Sequence, residues 1–246
     1  MVYILITGAS SGIGYAAAKE FAKRGENLIL VARREERLQT LKDEIFSLNK
    51  AVDVKTVVCD LSNPENAHKL FKAVRPLHVK ALINNAGFGN DEYIADVKVE
   101  KLEEMIRLNI ESLVILSTLY VKSYENAGHS QIINVSSVVG YKLFPQAITY
   151  SATKFFVSAF TEGLNFELKQ RGMKLRAKVL APAITRSEFA DVAHQNKSVD
   201  YSNSMEKFHT SEEMAKFLLK LHDSDKTIGI VNIETYEFEL KDKMYL

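Results

Sequence analysis

The chain has 246 residues, 46% of them hydrophobic and 26% charged, enough for one large α/β domain with a sizeable core and nothing like a disordered or repetitive composition. Lys and Arg number 32 against 31 Asp and Glu, a net charge of +1, so no global field draws the protein to nucleic acid or an anionic membrane. Cys59 is the only cysteine, which excludes an intrachain disulfide and a cysteine-based zinc site, and the six histidines show no metal-ligand spacing.

The apolar run after Met1 is too short for a secretory segment, and no other stretch reaches spanning length. The expectation is a cytoplasmic protein with no membrane partner. That run reads instead as the first of seven short buried strands, at 2–6, 28–32, 54–58, 80–84, 131–136, 174–180 and 228–233, all rich in Val, Ile and Leu. Helical periodicity fills the intervals, as in Leu38, Leu41, Ile45 and Leu48, or Leu102, Met105, Ile106, Asn109 and Leu113. Alternation of this kind predicts right-handed crossovers and a doubly wound α/β fold, its seven-stranded parallel sheet covered on both faces. Nothing divides the chain, so one domain over 1–246 is expected, and the polar stretch 186–209 reads as a functional lid or a disordered loop.

The first turn, Thr7-Gly-Ala-Ser-Ser-Gly-Ile-Gly14, follows the first strand and opens a strong helix former. Glycines at 8, 12 and 14 allow a tight turn and close approach, and a helix N-terminus offers N–H groups to a diphosphate; the same glycines would also serve a purely structural turn. Further on, Tyr150 and Lys154 are four residues apart, one helical turn, so a phenol and an ammonium can project into one space. A fixed cation favours phenolate and brings proton transfer closer to neutral pH. Alone, such a pair would be an ordinary solvated helix face.

In combination, Thr7-Gly8-x-x-x-Gly12-x-Gly14, Asn84-Asn85-Ala86-Gly87, Ser137, Tyr150 and Lys154 resemble the short-chain dehydrogenase/reductase family in its one-domain form, from residue 2 to about 190 and on toward the last strand. The resemblance implies a Rossmann-like fold, a nicotinamide cofactor, and a carbonyl or alcohol substrate. Gly8, Ser10, Ser11, Gly12, Ile13 and Gly14 would line the diphosphate. Asp60 and Leu61 would meet the adenine, although Asp60 could equally cap the helix starting near Asn63-Pro64. Asn85, Ala86 and Gly87 would border the cofactor and support the sheet. Cys59 reads as a small buried residue.

An acid about 20 residues past such a glycine turn bonds the adenosine ribose, whereas an arginine accommodates a 2′-phosphate. Ala32 stands where the acid would be, followed by Arg33 and Arg34, so NADP(H) is expected over NAD(H), with NAD(H) still usable. The other reading of these arginines is pairing with Glu35 and Glu36.

The implied mechanism has Ser137, thirteen residues before Tyr150, donating to the substrate oxygen while Tyr150 supplies or takes the proton. Lys154 would lower the Tyr150 pKa and hold the nicotinamide ribose, and Asn109 would hold a relay water, or else simply make a helix contact. After the sixth strand, Pro182, Ala183, Thr185 and Ser187 would complete the cofactor site; Ala183 stands where relatives usually have glycine, and either Ser187 or Thr185 would meet the carboxamide. Phe88, Val139 and Phe144, with Ser137 and Tyr150, are the expected substrate contacts, flanked by Val138 and Tyr141, with Phe189, Tyr201, Met205 and Phe208 on the loop. A homodimer or homotetramer through the helices containing 100–126 and 150–171 is implied as well. The competing class is a cofactor-binding sensor or scaffold without turnover.

Overall fold

The computed structural model describes residues 1–128, 130–189 and 207–245. In chain order the strands are β1 (Val2–Thr7), β2 (Asn27–Ala32), β3 (Val54–Val58), β4 (His78–Asn84), β5 (Gln131–Val135), β6 (Arg176–Ala181), β7 (Thr185–Arg186), β8 (His209–Thr210), β9 (Ile228–Val231) and β10 (Phe238–Lys241). Seven of them, in the order β3-β2-β1-β4-β5-β6-β9, pair in parallel and match the expected strands to within two residues at each end. The sheet has an eighth member that the seven-stranded expectation omitted. β10 turns back at Tyr236, where φ is 63°, and pairs antiparallel with β9. Its four residues carry no continuous apolar run, so composition gave no strand signal. Phe238 stacks on Phe217 with ring centroids 4.5 Å apart, and β10 covers an edge of β9 that would otherwise be open to pairing.

Helices cover both faces because successive strand residues point to opposite sides. Ile4 and Ile6 of β1 pack into a core shared with α1 (Gly12–Lys23) and α2 (Glu35–Leu48), while Tyr3 and Leu5 face a second core with α3 (Pro64–Val74). On that second face α4 (Val99–Ile106) passes through a π-helical turn (Arg107–Ser112) into α5 (Leu113–Tyr124), beside α6 (Ile148–Gln170). The first face is completed by α7 (Ser211–Asp223), which opens with a capping box between Thr210 and Glu213. The π turn shifts the phase of the 102–113 periodicity, leaving Ile106 exposed and Asn109 buried.

Chain order reverses between β1 and β4, and open α/β sheets take ligands at the carboxyl ends of strands at such a point. Thr7 locks the two strands together there: its hydroxyl accepts the Asn85 and Ala86 N–H groups at 3.0 and 3.1 Å and donates to the Ile83 carbonyl. Asn84 donates to Ser117 and Asn134, and Asn134 in turn to Thr161 of α6, so a buried polar chain ties the sheet to α5 and α6.

The chain end is fastened behind the same region. The buried Glu162 accepts the Tyr141 hydroxyl at 2.9 Å and the Met244 and Tyr245 N–H groups at 2.8 and 3.1 Å. Tyr245 also donates to the Gly140 carbonyl at 2.6 Å. Glu162→Ala removes one acceptor from three donors and is expected to cost about 2 kcal/mol, a Tm loss of about 4–8 °C readable by calorimetry. Among the described residues, no helix is long and apolar enough to cross a membrane, and no cluster of His, Cys, Asp and Glu is arranged to hold a metal ion.

Candidate active site

The turn after β1 is a backbone cradle. Gly8 and Gly12 have φ of 66° and 58°, in the left-handed region, and a Cβ at Gly8 would lie 2.8 Å from the Ala86 Cα. At Gly14 a Cβ would lie 2.6 Å from the Gly8 carbonyl oxygen and 2.5 Å from Asn85 Nδ2. Asn85 fixes the turn by donating to the Thr7 and Gly8 carbonyls at 3.0 and 3.1 Å. No side chain caps the N-terminus of α1 and its first turn holds no acid, so the positive end of the helix faces the cleft.

From this cradle a cleft of about 580 Å³ runs to Tyr150 and Lys154 at the start of α6. Its lining includes all the expected cofactor residues except Gly14, which lies beneath the turn, together with Phe88, Ser137 and Val139. Phe144 is not part of the lining. It lies on an exposed segment with the Lys142 ammonium 5.9 Å over its ring. Tyr201 and Met205 fall outside the described residues.

Ser137 ends the extended segment after β5, and its hydroxyl donates to the Pro182 carbonyl and accepts the Val139 N–H, both at 3.3 Å. Its hydroxyl lies close enough to the Tyr150 phenol to work against the upward push of burial there. The neighbouring Ser136 is buried and bonded to the Lys154 carbonyl at 2.9 Å and Ser158 at 2.8 Å, a fastening between β5 and α6. Geometry therefore separates two serines that were adjacent in sequence.

Lys154 is buried and donates to the Val135 carbonyl at 2.9 Å, with Nζ 5.7 Å from the Tyr150 ring centroid. Burial lowers its pKa to about 8. The expectation that Lys154 brings Tyr150 below its ordinary value does not hold here: burial pushes the phenol up, opposed only by the Ser137 hydroxyl. The ammonium is directed at a strand carbonyl, and desolvation of the phenol dominates. A protonated phenol at neutral pH suits an acid.

Asn109 makes three of its four possible side-chain hydrogen bonds to protein. Its amide donates to the Phe88 carbonyl at 2.9 Å and the Thr153 hydroxyl at 3.1 Å, and its Oδ1 accepts the Phe88 N–H at 3.1 Å. Both amide protons are taken by protein acceptors, while Oδ1 keeps a second lone pair beyond the Phe88 N–H. The side chain pins the segment after Gly87 to α6.

At the far end, Arg33 and Arg34 follow β2 but do not pair with Glu35 and Glu36. Arg33 lies 3.4 Å from Glu104, and Arg34 donates to Ser10 at 3.1 Å and to Glu188 at 2.8 Å. Arg37 bonds the same Glu188 carboxylate. Asp60 accepts from the Ser62 N–H and hydroxyl at 2.9 and 2.8 Å; burial works upward on its carboxyl, but these bonds and the Arg33 charge outweigh it and hold it low. The cap of α3 is Asn63, not Asp60. Cys59 is half-buried, its thiol pushed up mainly by burial.

Past β6, Ala183 has no positive φ, so the missing glycine costs nothing there. The Thr185 hydroxyl donates to the Ala183 carbonyl at 3.0 Å and that of Ser187 to the Thr185 carbonyl at 3.3 Å. Ser187 lies against Gly12, and Phe189 against Tyr150, with ring centroids 5.6 Å apart. Sequence reasoning placed Phe189 on a loop and missed Glu188 and Asn90, which also line the cleft. An acid two residues beyond β7 carries no signal of its partner until the fold brings α2 beside it.

The glycine cradle, the uncapped helix end and the cleft's length fit a dinucleotide. Comparison with known proteins agrees in kind. A family model described as short chain dehydrogenase matches residues 2–198. Dehydrogenase/reductase SDR family member 11 of Gallus gallus is 31% identical over 238 residues, 94% of this chain and 93% of its own. Sulfoacetaldehyde reductase 2 of Chromohalobacter salexigens is 37% identical over 194 residues, 76% of this chain and 73% of that protein. A solved short-chain dehydrogenase from Sphingobium yanoikuyae, in complex with NADPH, has a TM-score of 0.86 at 31% identity, covering 95% of this chain and 89% of that one.

Proposed function

Because the chain belongs to the short-chain dehydrogenase/reductase family, we propose that it is an NADP(H)-dependent oxidoreductase interconverting an apolar carbonyl compound and its alcohol, with Tyr150 as general acid and base. The observation that carries this reading is the gathering of Ser137, Tyr150 and Lys154 at one end of a cleft whose other end is the glycine cradle. A bound nicotinamide supplies the hydride in reduction and accepts it in oxidation.

The chain's own part is proton transfer and positioning. Ser137 donates to the carbonyl oxygen as charge builds there, and Tyr150, kept protonated by burial, passes its proton to that oxygen. Lys154 has three donors; one serves Val135, and the others suit the nicotinamide ribose hydroxyls. A relay past Asn109 would use its main-chain carbonyl, within the π turn. Phe88, Val139 and Phe189 give the reacting end an apolar lining. Ala32 in place of an acid, with Arg33 and Arg34 beside it, supports the NADP(H) preference, as does the NADPH named with the Sphingobium relative.

The test is NADPH oxidation, followed at the nicotinamide absorbance, against apolar ketones, aldehydes and 3-oxoacyl thioesters, with NADH in parallel. Turnover that prefers NADPH supports the reading; tight NADPH binding with no turnover across the panel would favour a sensor. The pH dependence follows from Lys154. Held at about 8 by burial, it is charged below that pH and loses its charge above it, while Tyr150, displaced upward, stays protonated. For reduction, kcat/KM should be level near neutrality and fall as pH rises through about 8. A profile level to about pH 10 would show that the Lys154 charge is not required.

Pairing into a homodimer or homotetramer through α4, α5 and α6 is part of the same reading. Phe156 is exposed on α6, its ring stacked on Phe160 at 5.9 Å. Light scattering coupled to size exclusion would report a monomer if this is wrong.

A further inference from the structure

Three consecutive residues beyond β7 span the whole cleft. Ser187 lies over the diphosphate turn, within 3.4 Å of where a Gly12 Cβ would be. Glu188 reaches across to the adenosine end, where its carboxylate takes Arg34 at 2.8 Å and Arg37 together. Phe189 covers the reacting end, its ring 5.6 Å from that of Tyr150 and close enough to Gly89 that a Cβ there would lie 3.2 Å from it. Glu188 is the only carboxylate that bonds two arginines among the described ion pairs. Burial raises its carboxyl, but the two guanidinium groups outweigh that and keep it ionised.

We propose that Glu188 is a specificity-determining residue for the cofactor: an internal anion held where Arg34 and Arg37 would grip a 2′-phosphate, it keeps Ser187 to Phe189 clasped over the cleft until that phosphate replaces it. This rests on the NADP(H) reading and deepens it. Ala32 leaves the end of β2 without the usual acid, yet an acid arrives at the same place from the opposite wall. A 2′-phosphate gripped by Arg34 and Arg37 would bring a second anion against the Glu188 carboxylate, and that repulsion favours the release of Glu188. A dinucleotide without that phosphate offers Arg34 and Arg37 nothing to exchange. Glu188 then stays on its partners, and Phe189 stays on Tyr150. Release at the adenosine end is transmitted to the next residue along the backbone, whose ring shields the acid, a direct covalent coupling between cofactor identity and substrate access. Since the ion pairs are half-exposed, the competition is modest in strength.

The experiment uses the full chain and two mononucleotide probes, 2′,5′-ADP and 5′-AMP, titrated by calorimetry into wild type and Glu188→Gln. Removing the competing charge should tighten 2′,5′-ADP by about five- to twenty-fold and leave 5′-AMP unchanged. The chain has no tryptophan, so Phe189→Trp supplies a single tryptophan against Tyr150, excited selectively over the ten tyrosines. Its emission should shift toward the solvent-exposed range on addition of 2′,5′-ADP and not of 5′-AMP. No tightening in Glu188→Gln overturns the proposal. So does weaker 5′-AMP binding in that variant, which would make Glu188 a partner of the ribose hydroxyls. If wild type binds the two probes equally, the NADP(H) reading itself has failed and the clasp fails with it, and that outcome is seen before any variant is made.

Discussion

Tyr150→Phe is expected to lower kcat by about 10²–10⁴-fold while the Kd for NADPH and the Tm stay within error of wild type. The substitution removes one oxygen and keeps the ring, so the contact with Phe189 and the packing against Gly89 survive. The Ser137 hydroxyl is held by the Pro182 carbonyl and the Val139 N–H, not by the phenol, so it keeps both partners. Nothing buried is left without a hydrogen bond, which is why stability should not move. Lys154 is anchored on Val135 rather than on the phenol, so the part of the site assigned to the ribose is also untouched. Single-turnover kinetics with saturating NADPH would separate the chemical step from binding. Wild-type turnover in the variant would remove Tyr150 from the proton path and leave Ser137 and solvent to carry it.

The contrast between Tyr150 and its neighbours shows which parts of the site were legible in the sequence. Strands β1, β2 and β4 announce themselves because a sheet covered on both faces favours apolar runs rich in Val, Ile and Leu, and such runs have few other uses. The glycine turn is equally plain, since the backbone conformations at Gly8 and Gly12 exclude most side chains. The chain is much less readable where function depends on meetings between distant segments. Arg34 was visible as a cation near the adenosine end, but its pairing with Glu188, 154 positions away, is a product of packing. The phase slip at the π turn is invisible to a 3.6-residue pattern, and it is this slip that buries Asn109 against Phe88. Phe144 is the plainer case, since nearness in sequence to Ser137 and Tyr150 does not by itself put a side chain in the cleft lining. The direction of the Tyr150 pKa was likewise misjudged by counting a neighbouring charge without the desolvation that comes with burying both groups.

Gly14→Ala should nearly abolish cofactor binding through a clash that lies beneath the cradle rather than in it. The new methyl would stand 2.6 Å from the Gly8 carbonyl oxygen and 2.5 Å from Asn85 Nδ2, and neither can give way cheaply. Gly8 is backbone already held at positive φ, and Asn85 Nδ2 is held by the Thr7 and Gly8 carbonyls. Relief must come from moving the first turn of α1 away from β1. That carries off the N–H groups that would meet the diphosphate and loosens the link from Thr7 to Asn85 and Ala86. Two or three charge-assisted hydrogen bonds weakened together imply a loss of affinity of at least about 100-fold. Overpacking adds a cost of about 1–3 kcal/mol, a Tm drop of about 3–10 °C. Gly163→Ala is the matched control, for its Cβ would meet nothing within 4 Å and it lies inside α6, where alanine is the better helix former. Calorimetric titration with NADPH and thermal melts on the pair decide the matter. Binding and Tm that remain at wild-type values in Gly14→Ala would mean that the helix can shift without disturbing its N-terminus, and the cradle would have to be sought in Gly8 and Gly12 alone.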